Sequence, residues 1–168
     1  VSLLVQFSKS SIRMLDQSGP WLALLMLRLL IGWEFLEAGL EKSRCDNWFG
    51  DIQALVPFPF KMVPVAISWQ LATWFEIIGG AALMIGIGTR FFSFGLMILT
   101  IVATAAVHWP AEWHTFSELM QGYVISNDGF GNFKLPVLFL AMLIPLLFFG
   151  PGKLSIDSLI RRKYMGAK

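Results

Sequence analysis

Acidic side chains interrupt an apolar part of the sequence in the stretch WEFLEAGLEK. In a helix, at about 100° per residue, Glu34, Glu37 and Glu41 would lie within about 60° of one another and share a face. Closely spaced, partly buried carboxylates are suited to proton transfer or to cation binding. Glu34 and Glu37 are therefore candidate site residues.

A second stripe of the same helix is cationic. Its members follow a 4-3-4-3 spacing that keeps them on one helical face, namely Arg28, Gly32, Phe35, Gly39 and Lys42. Glycines seven residues apart allow a neighbouring helix to approach closely. This face is therefore predicted to point into a helix bundle.

Glu76 lies near the middle of a second apolar run, directly before two small residues, Gly79 and Gly80. An unpaired charge at the centre of a bilayer costs roughly 2.5–3.5 kcal/mol on insertion scales. We therefore predict an ion pair between Arg28 and Glu76. Two roles are open for this pair, namely proton handling in a reaction and a purely structural role in fixing the register of two helices.

His108 ends a third run, on the helical face that also carries Thr100 and Thr104. Lys134 begins the next run, and the expected topology places it at the same height. The sequence predicts that Glu34, Glu37 and His108 line a polar pocket open to the outer face. Lys42 and Lys134 would form its rim. The alternative is that the acidic stripe only solvates the end of a helix.

Metal, thiol and nucleic-acid chemistry find little support in the sequence. No pair of residues has His-x3-His or Cys-x2-Cys spacing, so no metal site is predicted. Cys45 is the single cysteine, which excludes an internal disulfide and a Cys-x-x-Cys redox pair. The pI of about 8.9 reflects basic segments at a membrane surface, so no nucleic-acid partner is expected.

The elements that would position these residues are predicted from four apolar runs, at residues 20–40, 64–88, 91–109 and 133–149. Each run approaches the roughly 20 residues that cross a bilayer as a helix. The chain is 56% hydrophobic and 14% charged, too apolar to cover a soluble bundle of such helices. We predict an all-α, four-transmembrane-helix bundle, with residues 1–168 as a single integral membrane domain and the first run as a retained anchor.

Orientation follows from the excess of Lys and Arg on cytoplasmic segments. Eight such residues fall on one predicted side and four on the other, so both termini are expected in the cytoplasm of a bacterium, with the chain multi-pass in the inner membrane. Long loops at residues 43–63 and 110–132 would then lie outside. Beyond the predicted stop at GPG, Ser155 is expected to cap an interfacial segment at residues 154–164, with Arg161, Arg162 and Lys163 near lipid phosphates.

The spacing of these residues resembles the DoxX family of small four-helix membrane proteins. The resemblance covers residues 21–159 and runs from the cationic stripe through Glu76, its two glycines and the TR dipeptide to His108. The stretches EFLEAGLEK, NWF and VPFPF are similar to one branch of the family. That branch is encoded beside copper-binding, post-translationally modified peptides and their multinuclear-iron maturation enzymes. Family motif positions are Arg28, Lys42, Glu76 and His108, whereas Glu34 and Glu37 match only the branch.

Three functions remain open, and the resemblance favours the first two. The first is an accessory membrane component of a metal- or redox-stress system or of copper-binding modified-peptide maturation, with the peptide precursor and its maturation enzymes as partners. A second is the membrane subunit of a quinone-linked oxidoreductase of the thiosulfate:quinone type, in which Arg28, Glu76 and His108 manage protons and a redox protein is the partner. The third is a structural anchor for soluble partners. The sequence identifies no cofactor-binding motif, and quinone is the one cofactor that the resemblance leaves open.

Overall fold

The computed structural model of the chain describes residues 2–126 and 129–166, and these residues form helices, turns and loops without any strand. In chain order the helices are α1 (Ser2–Arg44), α2 (Phe49–Ile52), α3 (Val65–Ile85), α4 (Thr89–Ala103), α5 (Phe116–Gln121), α6 (Lys134–Phe149) and α7 (Ile156–Met165). A π-helical turn, Thr104–His108, extends α4. The predicted all-α class is confirmed. The single domain over residues 1–168 stays a prediction, and residues 1, 127–128 and 167–168 lie outside the described part.

The four predicted runs all lie in long helices, but their capacity to cross a membrane differs. Among the described residues, one helical stretch, Thr89–His108, is both long and apolar enough to do so, and α6 is a shorter apolar helix. Helix α1 is much longer than the predicted run at residues 20–40, because it continues without interruption from Ser2. The four-span topology therefore stays a prediction.

Helices α1 and α3 pack closely because glycines face each other across their interface. A Cβ added at Gly32 would lie 2.8 Å from the carbonyl oxygen of Gly80, and one added at Gly39 would lie 2.8 Å from the backbone nitrogen of Ile77. Any side chain at these points would push the two backbones apart. The prediction that the stripe of Arg28 faces into the bundle is confirmed, since Arg28 and Phe35 are buried.

The core is made by the same face of α1 together with α3, α4 and α6. Its buried members touch one another in a single cluster: Ile31, Phe35, Leu83, Leu96, Leu143 and Leu146. Close packing of such side chains yields dispersion energy that does not depend on water as the surrounding medium. This cluster fixes the positions of α1, α3, α4 and α6 relative to one another.

The turn between α3 and α4 is short and is tied to α7. Gly86 ends α3 with φ 73°, a left-handed conformation that favours glycine. The carboxylate of Asp157 in α7 accepts from the backbone N–H groups of Gly88, at 2.8 Å, and Thr89, at 3.0 Å. Ser155 accepts from the N–H of Ser158 and caps α7 as predicted.

The loop between α1 and α3 folds back over the bundle. It contains α2 and two 3-10 turns, Gln53–Leu55 and Phe60–Met62. The amide of Gln53 donates to the carbonyl oxygens of Lys61, at 2.6 Å, and Val63, at 3.0 Å. These bonds close the loop, and the loop becomes the roof of a cavity.

Candidate functional site

An ion pair joins the C-terminal end of α1 to the middle of α3. The ammonium of Lys42 lies 2.5 and 2.6 Å from the two carboxylate oxygens of Glu76. The side chain of Glu76 is 4% exposed and that of Lys42 is 20% exposed. The pair is thus shielded on the carboxylate side and open on the side of the ammonium.

The predicted ion pair between Arg28 and Glu76 is wrong. Arg28 lies at the other end of the interface, where its guanidinium donates to the carbonyl oxygen of Leu83, at 3.5 Å, and to that of Leu154. The contacts of Gly32 and Gly39 fix this register and place Lys42 beside Glu76. Arg28 therefore binds backbone carbonyls at the end of α3 and in the segment before α7.

His108 ends the π-helical turn that extends α4, and Lys134 begins α6. The Nδ1 atom of His108 is 2.7 Å from Oδ1 of Asn132, and the N–H of Asn132 donates to the carbonyl oxygen of His108 at 3.0 Å. The ammonium of Lys134 lies 5.7 Å from the ring centroid of Tyr123. These contacts fasten the loop that precedes α6.

The structure does not bring Glu34 and Glu37 to the ion pair. Both side chains are exposed, and within the described part of the chain neither makes a hydrogen bond or an ion pair. Neither lines the cavity described next. Their role as site residues stays a prediction.

A cavity of about 390 Å³ lies between α3 and α4, beneath the loop that precedes α3. Its walls are almost entirely apolar. The helices contribute Ser68, Leu71, Ala72, Phe75, Gly95, Ile98, Leu99, Val102, Ala103, Ala106 and Val107, and the loop contributes Trp48, Phe49, Ile52, Gln53, Val56, Phe60 and Val63. Lys42 supplies the one charged group of this lining.

The ends of this cavity differ in chemistry. At the end of the cavity away from the loop, the ring of Phe75 lies over Gly95, and a Cβ added at Gly95 would overlap this ring. Near the roof, the rings of Trp48 and Phe49 pack edge-on against Trp69. The cavity thus offers an apolar sleeve with one cationic donor, backed by the Glu76 carboxylate. Such an arrangement fits an apolar ligand that carries a hydrogen-bond acceptor at one end.

The cavity is the part of the candidate site that sequence reasoning missed. Two signals pointed to it: a glycine, Gly95, in the middle of an apolar helix, and the aromatic cluster of the NWF stretch. A glycine inside a helix marks a place where another group approaches the backbone. Its partner, Phe75, is not recognisable from spacing alone.

Metal-ligating side chains are scattered in the described ranges. No group of three His, Cys, Asp or Glu residues lies close enough there to hold a metal ion. Cys45 is exposed and is not in a disulfide. The candidate site is therefore the cavity together with its ion pair.

Comparison with known proteins identifies the family. The family model described as DoxX matches residues 23–109. An uncharacterized protein of Haemophilus influenzae is 38% identical over 146 residues, which are 87% of this chain and 88% of that protein. No solved structure matches the chain. The chain belongs to the DoxX family and is a membrane protein.

Proposed function

We propose that this chain is a four-span, inner-membrane subunit of a quinone-linked oxidoreductase, and that the cavity between α3 and α4 binds the quinone. The observation that carries the proposal is the apolar cavity of about 390 Å³, whose one charged lining group is Lys42. Quinones are lipid-soluble and carry carbonyl oxygens, so they need an apolar sleeve and a hydrogen-bond donor.

The proposed topology places α1, α3, α4 with its π-helical turn, and α6 across the bilayer, with both termini in the cytoplasm. Buried polar groups support this arrangement. Charged side chains in contact with lipid are costly, whereas Arg28 and Glu76 are buried in the bundle and Lys42 binds Glu76. The exposed Glu34 and Glu37 are placed towards the outer end of the span formed by α1. The excess of Lys and Arg at the predicted inner side supports the orientation.

A bound quinone supplies two-electron chemistry, in which it takes up two electrons and two protons. The ammonium of Lys42 would donate a hydrogen bond to a carbonyl oxygen at the cavity wall. Glu76 accepts two bonds from that ammonium and would hold or release a proton next to it. The electrons would come from a partner protein of the redox class, as in the oxidoreductases that the family resemblance implies.

The accessory function in metal or redox stress, or in copper-binding modified-peptide maturation, remains the second candidate. One observation favours it: the stretches NWF and VPFPF, on which the resemblance to that branch rests, contribute Trp48, Phe49, Val56 and Phe60 to the cavity. If the branch has its own ligand or peptide partner, this roof is where the partner would touch. No feature of the described residues favours the anchor function over these two.

Titration with a short-chain benzoquinone tests the proposal. Quenching of tryptophan fluorescence reports binding, since Trp48 lies on the wall of the cavity. The double variant Lys42→Met/Glu76→Gln removes the donor without leaving a lone buried charge. Loss of a hydrogen bond from a charged group, worth about 1.5–3 kcal/mol, should raise Kd by at least roughly tenfold.

The matched control is Lys134→Met, which removes a cation that lies over Tyr123 and does not line the cavity. Its Kd should equal that of the wild type. Saturable binding that is the same in all three proteins would contradict the assigned site, and absence of binding to the wild type would contradict the function.

A further inference from the structure

A second pocket, of about 280 Å³, opens at the opposite end of the bundle from the cavity roof. It lies where the turn before α4, the segment after α6 and the first turns of α7 meet. Two guanidinium groups, those of Arg90 and Arg161, line it together with a single carboxylate, that of Asp157. We propose that this pocket binds a phosphate group, and that its source is the headgroup of an anionic phospholipid.

The carboxylate in the pocket does not oppose this assignment, because it is already occupied. One oxygen of Asp157 accepts from the N–H of Gly88 and the other from the N–H of Thr89. Arg28, behind the pocket, attracts the same carboxylate. The negative charge of Asp157 is thus balanced by groups of the protein itself. The two arginines therefore make the opening of the pocket positively charged.

The two arginines differ in how firmly they are held. Arg90 donates to the carbonyl oxygen of Phe148 at 3.2 Å, so it is anchored at the end of α6 while its other N–H groups remain free for a ligand. Arg161 is exposed and makes no hydrogen bond or ion pair with any described residue. Arginine presents its donors in a planar fork that matches phosphate oxygens.

The rim of the pocket indicates a lipid as the source of the phosphate. Phe91 and Ile160 line the pocket, and they are 67% and 45% exposed. Exposed apolar side chains beside a cationic pocket fit a ligand with a charged head and acyl chains. The spacing of Asp157, Ile160 and Arg161 along α7 puts all three on one helical face, so α7 turns this face to the pocket.

The lipid source rests on the proposed topology, in which this end of the bundle lies at the cytoplasmic interface. Each basic group near an anionic membrane surface contributes about 1 kcal/mol. Binding in the pocket differs from general attraction to a charged membrane surface, because Arg162, the neighbour of Arg161, does not line the pocket. That difference makes a matched control available in the chain itself.

The test uses the purified full chain in a neutral detergent, with dioleoyl phosphatidylglycerol, dioleoyl phosphatidylcholine or inorganic phosphate added separately. Lipid retention is measured by native mass spectrometry and thermal stability by melting. Wild type should retain phosphatidylglycerol in preference to phosphatidylcholine. Arg161→Gln should lose roughly fivefold in retention, the equivalent of one basic contact, while Arg162→Gln should match the wild type.

Equal losses in Arg161→Gln and Arg162→Gln would show surface charge alone and overturn the proposal, as would equal retention of the two lipids by the wild type. A melting shift with inorganic phosphate that Arg161→Gln abolishes, without preference for phosphatidylglycerol, would support the phosphate site and overturn the lipid source. These readouts do not involve quinone. Failure here and failure of the quinone titration are therefore distinguishable.

Discussion

Lys42 places its ammonium between both carboxylate oxygens of Glu76, at 2.5 and 2.6 Å, across the interface of α1 and α3. The contact joins the two helices at the point where the cavity wall begins, since Lys42 also lines the cavity. One pair therefore serves both the fold and the proposed site. Its two effects can be separated by comparing single and double variants.

Neutralising one partner of this pair should destabilise the protein strongly. Lys42→Met alone leaves the shielded Glu76 carboxylate without its partner, and breaking a buried pair in this way costs about 3–5 kcal/mol. Glu76→Gln should cost less, because the side chain of Lys42 is 20% exposed. The double variant Lys42→Met/Glu76→Gln should be less destabilised than Lys42→Met alone. Thermal unfolding in detergent measures the three free energy differences. Additive losses would show that the two residues do not interact.

Gly86 and Gly88 offer a matched test of the contact with Arg28. Both have positive φ, 73° and 57°, so an alanine at either position pays about 1–2 kcal/mol for its left-handed backbone. At Gly86 a Cβ would also overlap the Arg28 guanidinium and lie 2.5 Å from the Cβ of Ser155, whereas at Gly88 its nearest neighbours, in the ring of Phe92, lie at 3.4 Å.

Gly86→Ala should therefore lose about 1–3 kcal/mol more than Gly88→Ala, the usual penalty for overpacking. The same unfolding assay measures the difference. Equal losses at the two positions would show that both the Arg28 guanidinium and Ser155 are free to move aside.

Glu34 and Glu37 should behave differently from Glu76. Because both side chains are exposed, Glu34→Gln and Glu37→Gln should change the free energy of unfolding by no more than about 0.5 kcal/mol. Quinone affinity should also stay at the wild-type value, since neither residue lines the cavity. A large loss of quinone affinity in the double glutamine variant, at normal expression, would show that Glu34 and Glu37 take part in the site.

The sequence was sufficient to predict the helices that carry the site, but their register depends on contacts that it does not display. Counting 1.5 Å per residue from the start of the apolar run at residue 20 puts Arg28 within reach of Glu76, yet α1 begins at Ser2 and passes that point unbroken. Depth is set instead by glycine contacts, Gly32 on Gly80 and Gly39 on Ile77. Those contacts pair Glu76 with the lysine of the stripe rather than with its arginine.

The cavity was beyond the reach of sequence reasoning for a different reason. Its roof is an irregular loop held by the bonds of Gln53 to two backbone carbonyls. Periodicity identifies helix faces, and it says nothing about where a loop without periodicity folds. The caps at Ser155 and at the end of α6, in contrast, depend on local chemistry and were predicted correctly.

The single cysteine makes the proposed orientation directly testable. Cys45 is exposed at the end of the bundle that carries the cavity roof. In spheroplasts, a membrane-impermeant maleimide should label it without permeabilisation. In the variant Cys45→Ser/Lys163→Cys the label should require permeabilisation, because α7 is placed on the cytoplasmic side. The reverse pattern of labelling would contradict the topology.

The most direct test of the central claim is the amount of quinone that copurifies with the protein, measured by solvent extraction and chromatography. Ala72 lines the cavity and Ala81 is exposed on the same helix, so Ala72→Phe fills the cavity and Ala81→Phe is its matched control. We predict that the wild type and Ala81→Phe retain equal amounts of quinone. Ala72→Phe should retain roughly tenfold less, the equivalent of about 1.4 kcal/mol of binding free energy. Equal retention in the two phenylalanine variants, or none in the wild type, would contradict a quinone in this cavity.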